Sequence, residues 1–320
     1  MIGLVSSVPA TASRPFQART APAIVSDPKS HGHFQSARFE FKYRIDETTA
    51  ASIRDYARAF VQLDPYADRT TFSYPINSLY LDSDDLLTFW STVQGAPRNY
   101  KLRVRTYSDA PDAPVFFEIK RGIDETVLKE RGAVRASAAQ KILAGSLPDE
   151  ADMYFRDPTH RAAVENFVRL MQQIDAKPKA WVRYVREAWV GRDDPEVRFT
   201  MDRDVDVTPK STLELTNANL AAPAKPFGRK VVLEMKFTGR MPLWFRDLAA
   251  VVGLKRGPAA KYCDGLKLHE LDQFSAVNWP ALNGAAARST QSRRIAAPAF
   301  TPSFERPALP TAMATSSELG

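Results

Sequence analysis

Apolar and charged residues alternate with a period of two in four separate stretches: Phe39-Glu40-Phe41-Lys42, Leu102-Arg103-Val104-Arg105, Phe117-Glu118-Ile119-Lys120 and Leu233-Glu234-Met235-Lys236. Residues two apart share one face of a β-strand, so each stretch sets bulky apolar groups on one side and long charged groups on the other. Three stretches carry Glu-x-Lys; the fourth, opened by Lys101, carries cations only. The same spacing puts Lys129 with Arg131, and Tyr184 with Arg186, on shared faces, and sets Arg198 inside the strand-like run Val197-Arg-Phe-Thr-Met-Asp202.

The pattern predicts strands over 38–45, 78–82, 100–107, 115–121, 125–134, 181–190, 195–202 and 231–237. A 3.6-residue period predicts a helix over 47–63, capped by Asp46, with Ile53, Tyr56, Ala57, Phe60 and Val61 on one face. Further helices are predicted from Asp84-Asp85 to Val93, over 138–143, over 158–174, from Pro242 at the first helical position to Val252, and over 258–271. Strands alternating with helices, mostly hairpin-linked, give an α+β fold. The expected architecture is a closed antiparallel β-barrel, a tunnel of about eight strands, with flanking helices.

Composition narrows the setting. The chain has 320 residues and is 44% hydrophobic, enough for one large domain. Residues 1–36 and 275–320 are rich in Ala, Pro, Ser and Thr without apolar periodicity and read as disordered tails around one domain, 37–274. No apolar run reaches the roughly 18 residues of a membrane span, and the first residues lack a secretory leader's basic and apolar parts. Cys263 is the single cysteine, so no disulfide forms within the monomer; with the missing leader, this points to the cytoplasm. The net charge of +7 lies disproportionately in the tails, where Arg14, Arg19 and Lys29 face only Asp27, and Arg288, Arg293, Arg294 and Arg306 face Glu305 and Glu318. Without a basic domain or exposed basic runs, nucleic-acid binding is not expected.

The cations that remain lie within strands. An Arg fork matches phosphate oxygens, and many cations sharing one face are costly unless carboxylates or a polyanion neutralise them. Taken singly, each such strand also resembles the solvent face of an ordinary sheet edge; the recurrence points to a charged interior suited to a phosphate chain. Glu40, Glu118 and Glu234 read either as partners of the neighbouring Lys or as ligands of a hard cation, Mg²⁺ or Mn²⁺. Glu234 is the leading ligand because its strand is the most apolar of the three. His31-x-His33, His160, His269 and Cys263 show no catalytic or metal-binding spacing, and no glycine-rich phosphate loop is present.

The ordered segments Arg38-Phe-Glu-Phe-Lys-Tyr43, Asn77-Ser-Leu-Tyr-Leu-Asp82, Lys101-Leu-Arg-Val-Arg-Thr-Tyr107, Phe117-Glu-Ile-Lys120, Leu233-Glu-Met-Lys236 and Gly257-Pro-Ala-Ala-Lys-Tyr262 resemble the VTC domain. That domain is the polyphosphate polymerase module of the vacuolar transporter chaperone complex, within the triphosphate tunnel metalloenzymes (the CYTH superfamily). The resemblance covers residues 37–272. It implies an antiparallel tunnel in which the γ-phosphate of ATP is transferred onto a growing polyphosphate chain with a divalent metal, Mn²⁺ or Mg²⁺. It implies phosphate contacts from Lys42, Arg103, Arg105, Lys120, Lys129, Arg186, Arg198 and Lys261, support from Tyr184, and metal ligation by Glu234 with Lys236 beside it; the strand pattern itself adds Lys101 and Arg131 as substrate-binding candidates and Glu40 and Glu118 as further metal candidates.

Two positions depart from the pattern. Arg38 stands where the wider superfamily opens with Glu, which argues against a plain triphosphatase site, and Ala260 stands where the family carries Ser before the late Lys. Beside the polymerase, two readings stay open: an inorganic triphosphatase of the same fold, and a non-catalytic polyphosphate-binding module. The partners expected are ATP and polyphosphate, with room for a membrane protein that receives the product.

Overall fold

The alternating stretches pair into one antiparallel sheet. The structure is a computed structural model that describes residues 38–123, 126–210, 212 and 223–274. The chain divides into two units, Met1–Val277 and Asn278–Gly320, and every described residue lies in the first. The readings for residues 1–36 and 275–320, with His31 and His33, fall outside the described residues.

The strands are β1 (Arg38–Ile45), β2 (Val61–Leu63), β3 (Ser73–Asp82), β4 (Arg98–Thr106), β5 (Val115–Ile123), β6 (Thr126–Val134), β7 (Lys177–Gly191), β8 (Arg198–Pro209) and β9 (Val231–Thr238). They run in the order β1-β9-β8-β7-β3-β4-β5-β6, with β2 paired to β7. The helices are α1 (Glu47–Ala57), α2 (Leu87–Val93), α3 (Ala136–Leu143), α4 (Pro158–Gln173), α5 (Leu243–Val251) and α6 (Lys261–Leu266).

Several boundaries differ from the periodic reading. The first helix stops at Ala57, because Val61–Leu63 is drawn into a ladder with Trp189–Gly191. Tyr56 and Phe60, expected on the buried face, are left exposed. β3 and β7 are longer than expected because each supplies the other with a partner from Ser73↔Glu187 to Asp82↔Lys177. Pro242 occupies the N-cap of α5, not its first turn.

Register sorts the side chains onto two faces. The apolar members of β3–β6, including Leu79, Leu102, Val104, Phe117 and Ile119, pack under α3 and α4. Those of β1, β9, β8 and β7, including Tyr43, Leu233, Met235 and Phe199, pack under α1 and α5. A third cluster sits on the opposite face, where Ile76, Val182 and Val207 meet Phe89 of α2 and Tyr262 and Leu266 of α6. That cluster fills one end of the face bearing the charged residues and leaves the rest to them.

The expected closure into a barrel does not occur. The sheet ends at β1 and β6, and no ladder joins them among the described residues. The physical reason lies at the free edge of β1. Tyr43 bridges Arg256, and the Gly257 N–H donates to the Lys42 carbonyl at 3.0 Å, so the α5–α6 connection takes pairing positions that β6 would need. The α+β class fits. The sheet curls instead until side chains meet across the seam: Lys120 Nζ on β5 lies 3.2 Å from Glu40 Oε1 on β1.

Candidate functional site

Three clusters of charge line the concave face. The first surrounds Glu118, whose side chain is fully buried. Arg103 Nε approaches it at 2.6 Å, Arg131 Nε at 3.3 Å, and Arg105 and Lys129 at 3.8 Å each. These come together because Glu118 pairs across the ladder with Arg103 on one side and Arg131 on the other. The guanidiniums have neutral supports: Arg103 donates to Tyr80 Oη, Arg105 to Ser78 Oγ and Tyr184 Oη, and Arg131 lies 3.6 Å over the Phe116 ring.

The second cluster joins β7, β8, β9 and α6. Arg186 donates a fork to Asp202, both bonds at 2.7 Å. Lys261 sits between Asp202 at 2.6 Å and Glu234 at 3.1 Å, and Lys236 closes on Glu234 at 3.0 Å. The third is Glu40, held by Lys42 at 3.0 Å and Lys120 at 3.2 Å.

The electrostatics follow from this geometry. Burial alone would raise the carboxyls of Glu118, Glu234 and Asp202; the cations around them hold all three below the usual carboxylate range, so they stay ionised. Burial pushes the Lys120 ammonium down to about 7; Glu40 resists that shift and Lys42 adds to it. Lys101 is also lowered by burial; its Nζ donates to Thr92 Oγ1 at 2.7 Å, and no carboxylate pairs with it among the described residues. Cations exceed carboxylates on this face, which is the condition for attracting a polyanion.

Most of the expected side chains reach one cavity of about 250 Å³. Lys42, Lys101, Arg103, Arg105, Lys120, Tyr184, Arg186, Glu234, Lys236 and Lys261 all line it. Lys129 and Arg131 do not line it but lie against Glu118, and Glu40 lines a second cavity beside the first. Arg198 shares the face, cross-strand from Lys236, but does not line the cavity; it pairs with the buried Asp64 at 3.2 Å and its side chain is 37% exposed. Glu40, Glu118 and Glu234 are not gathered into one cage, and no group of three metal-ligating side chains forms among the described residues.

Sequence reasoning missed Asp202, Thr92, Asn99, Tyr80 and Tyr262. Asp202 was within reach, because its position matches Arg198 and Thr200 in phase. Thr92 and Tyr262 arrive on helices α2 and α6, whose docking no strand pattern reveals.

Comparison with known proteins adds a family. The VTC domain family model matches residues 37–269. No curated protein matches the chain. Among solved structures, a candidate adenylate cyclase from Bacillus halodurans aligns at 10% identity, covering 70% of this chain and 94% of its own, with a TM-score of 0.40. A candidate adenylyl cyclase from Hippeastrum, described as having a dominant triphosphatase activity, aligns at 13% identity over 78% of this chain and 96% of its own, with a TM-score of 0.37.

Proposed function

The chain belongs to the VTC domain family, and from that premise we propose that it is an ATP-polyphosphate phosphotransferase working on the concave face of the described sheet. The observation that carries this reading is the convergence of Lys42, Arg103, Arg105, Lys120, Arg186 and Lys261, drawn from separate strands and α6, on one cavity.

The reaction needs no protein nucleophile. A terminal oxygen of the growing chain attacks the γ-phosphorus of ATP, the bond to the β-phosphate oxygen breaks, and ADP leaves carrying that electron pair. Catalysis then consists of holding donor and acceptor in line and neutralising their charge. Arg103 and Arg105, braced by Glu118, Tyr80 and Ser78, present pre-oriented donors to phosphate oxygens. Arg186 and Lys261 do the same from β7 and α6, braced by Asp202. Lys101, which has no acidic partner among the described residues, adds charge that a phosphate can neutralise.

The donor chemistry fits one hard cation, which is bound by one or two carboxylates plus substrate phosphates and needs no protein cage. Glu234, with Glu40 on the adjacent strand, would hold it; Glu118, enclosed by four cations, serves as their counter-ion. When bound, Mn²⁺ or Mg²⁺ supplies further charge neutralisation on phosphate oxygens.

The test is to supply ATP with Mn²⁺ or Mg²⁺ and resolve the products on a gel. A ladder of lengthening phosphate chains is expected. Orthophosphate released from tripolyphosphate without chain growth would replace the polymerase by a triphosphatase, and polyphosphate binding without turnover under either metal would leave a binding module.

A further inference from the structure

Charged side chains do not line the whole of the main cavity. Register sets β4, β5 and β6 out in rows across the concave face: Arg103 with Glu118 and Arg131, then Lys101 with Lys120 and Lys129, then Asn99 with Gly122 and Val127. Successive rows are two residues, or about 6.6 Å, apart. The first two rows are made of charged groups. The third carries no charge, yet Asn99, Gly122 and Val127 all line the same cavity as Lys101, Arg103 and Lys120. Past the other end of β4, Tyr107 accepts a hydrogen bond from Arg131, packs edge-on against Phe116 and does not line the cavity.

Asn99 sets the chemistry of the neutral row. Its Nδ2 donates to the Ala96 carbonyl at 3.0 Å, which fixes the sense of the amide, and its Oδ1 accepts no hydrogen bond among the described residues. Gly122 makes room for that amide: a Cβ added there would stand 3.1 Å from both Nδ2 and Oδ1 of Asn99. Phosphate oxygens are acceptors, so a carbonyl oxygen and a valine side chain offer them nothing. The same pair suits a group that has O–H or N–H donors on an apolar body. A nucleoside has both, and in a nucleoside triphosphate it is joined to the anionic chain that the neighbouring lysine and arginine rows attract.

We infer that the row of Asn99, Gly122 and Val127 is the nucleoside end of the cavity. Asn99 Oδ1 accepts a hydrogen bond from a hydroxyl or amino group of the donor's nucleoside, Val127 packs against it, and the triphosphate lies over the Lys101 and Arg103 rows. This rests on the proposed function in taking a nucleoside triphosphate as the donor. The row then separates a nucleotide from an inorganic phosphate chain, and it fixes which way the donor lies along β4.

The experiment measures ATP and tripolyphosphate binding by calorimetry with Mg²⁺, beside the KM and kcat for ATP, in wild type, Asn99→Ala and Gly122→Ala. Asn99→Ala loses one hydrogen bond, so its ATP affinity is expected to fall about 3- to 10-fold with a matching rise in KM, while tripolyphosphate affinity and kcat stay within about 2-fold of wild type. Gly122→Ala alters no polar group but displaces the amide, and is expected to show the same split; it decides the matter if thermal unfolding shows that Asn99→Ala does not fold. Equal weakening of both ligands, or an unchanged ATP affinity, overturns the nucleoside row while the main-site reading stands. The expected split in binding, with no phosphate chains built from ATP, overturns the polymerase reading and keeps the row. A wild type that binds neither ligand overturns both.

Discussion

Lys120 stands at the junction of the main cavity and the seam, and burial lets its ammonium lose a proton near neutrality. Burial sets its ammonium at about 7, from 10.5 for an ordinary lysine. An arriving phosphate favours the charged form and raises that value, so binding takes up a proton above about pH 7. Tripolyphosphate affinity is therefore expected to fall as pH rises from about 6 to about 9, and Lys120→Gln to bind more weakly at the acidic end with a flatter profile. Calorimetry in buffers of different ionisation enthalpy reads the proton uptake directly; a wild-type profile identical to that of Lys120→Gln would remove this role. The sign for stability is separate. The folded value lies below the unfolded one, so this lysine costs stability most fully below about 7, and the cost fades as pH rises towards 10.5. Phase alone made Lys120 legible in the sequence, as it did Arg103 and Lys42. It could not show that Arg198, in the right phase, would be held outside the cavity by Asp64, because that partner arrives from the segment after β2.

Helices α2 and α6 bring Thr92, Tyr262 and Lys261 to a site otherwise built by strands. Their placement was the least readable part of the chain. Asp84-Asp85 looked like the start of α2, yet the cap comes from Asp82, at the end of β3, which accepts from the N–H groups of Thr88 and Phe89 and from Tyr262 Oη. One carboxylate thus fastens both helices to the sheet, and nothing in local spacing marks it. The other fastening is steric. A Cβ added at Gly265 would stand 2.3 Å from Val207 Cγ2, closer than packed atoms approach. Gly265→Ala is accordingly expected to cost about 1–3 kcal/mol of stability by overpacking α6 against β8. It should also raise the KM for ATP by moving Lys261 away from Asp202 and Glu234, although no charge is altered. Denaturant midpoints with steady-state kinetics check both; an unchanged KM in a destabilised variant would mean that α6 holds Lys261 without this contact.

At the scale of the whole molecule, the alternation of charge and oil specifies which face of each strand is inward, and the three apolar clusters follow from it. It does not specify whether the first and last strands meet. Closure requires tilt, stagger and two free edges to agree, and here the connection through Arg256 and Gly257 takes part of one edge. The outcome is a curled sheet whose concave side concentrates cations beyond what Glu40, Glu118, Asp202 and Glu234 neutralise. Such a face repels itself when empty, and this gives a prediction for the entire fold. A ligand that binds only the folded state stabilises it by about 2.7 kcal/mol at 100 times its Kd. For a domain of this size that raises Tm by roughly 5–10 °C. Tripolyphosphate is therefore expected to raise Tm strongly at low ionic strength, more than pyrophosphate does and far more than sulfate. The effect should shrink as salt shortens the screening length to about 8 Å. A Tm that responds equally to sulfate and tripolyphosphate at matched ionic strength would show that the face senses only bulk salt, and that its cations are not arranged for linked phosphates.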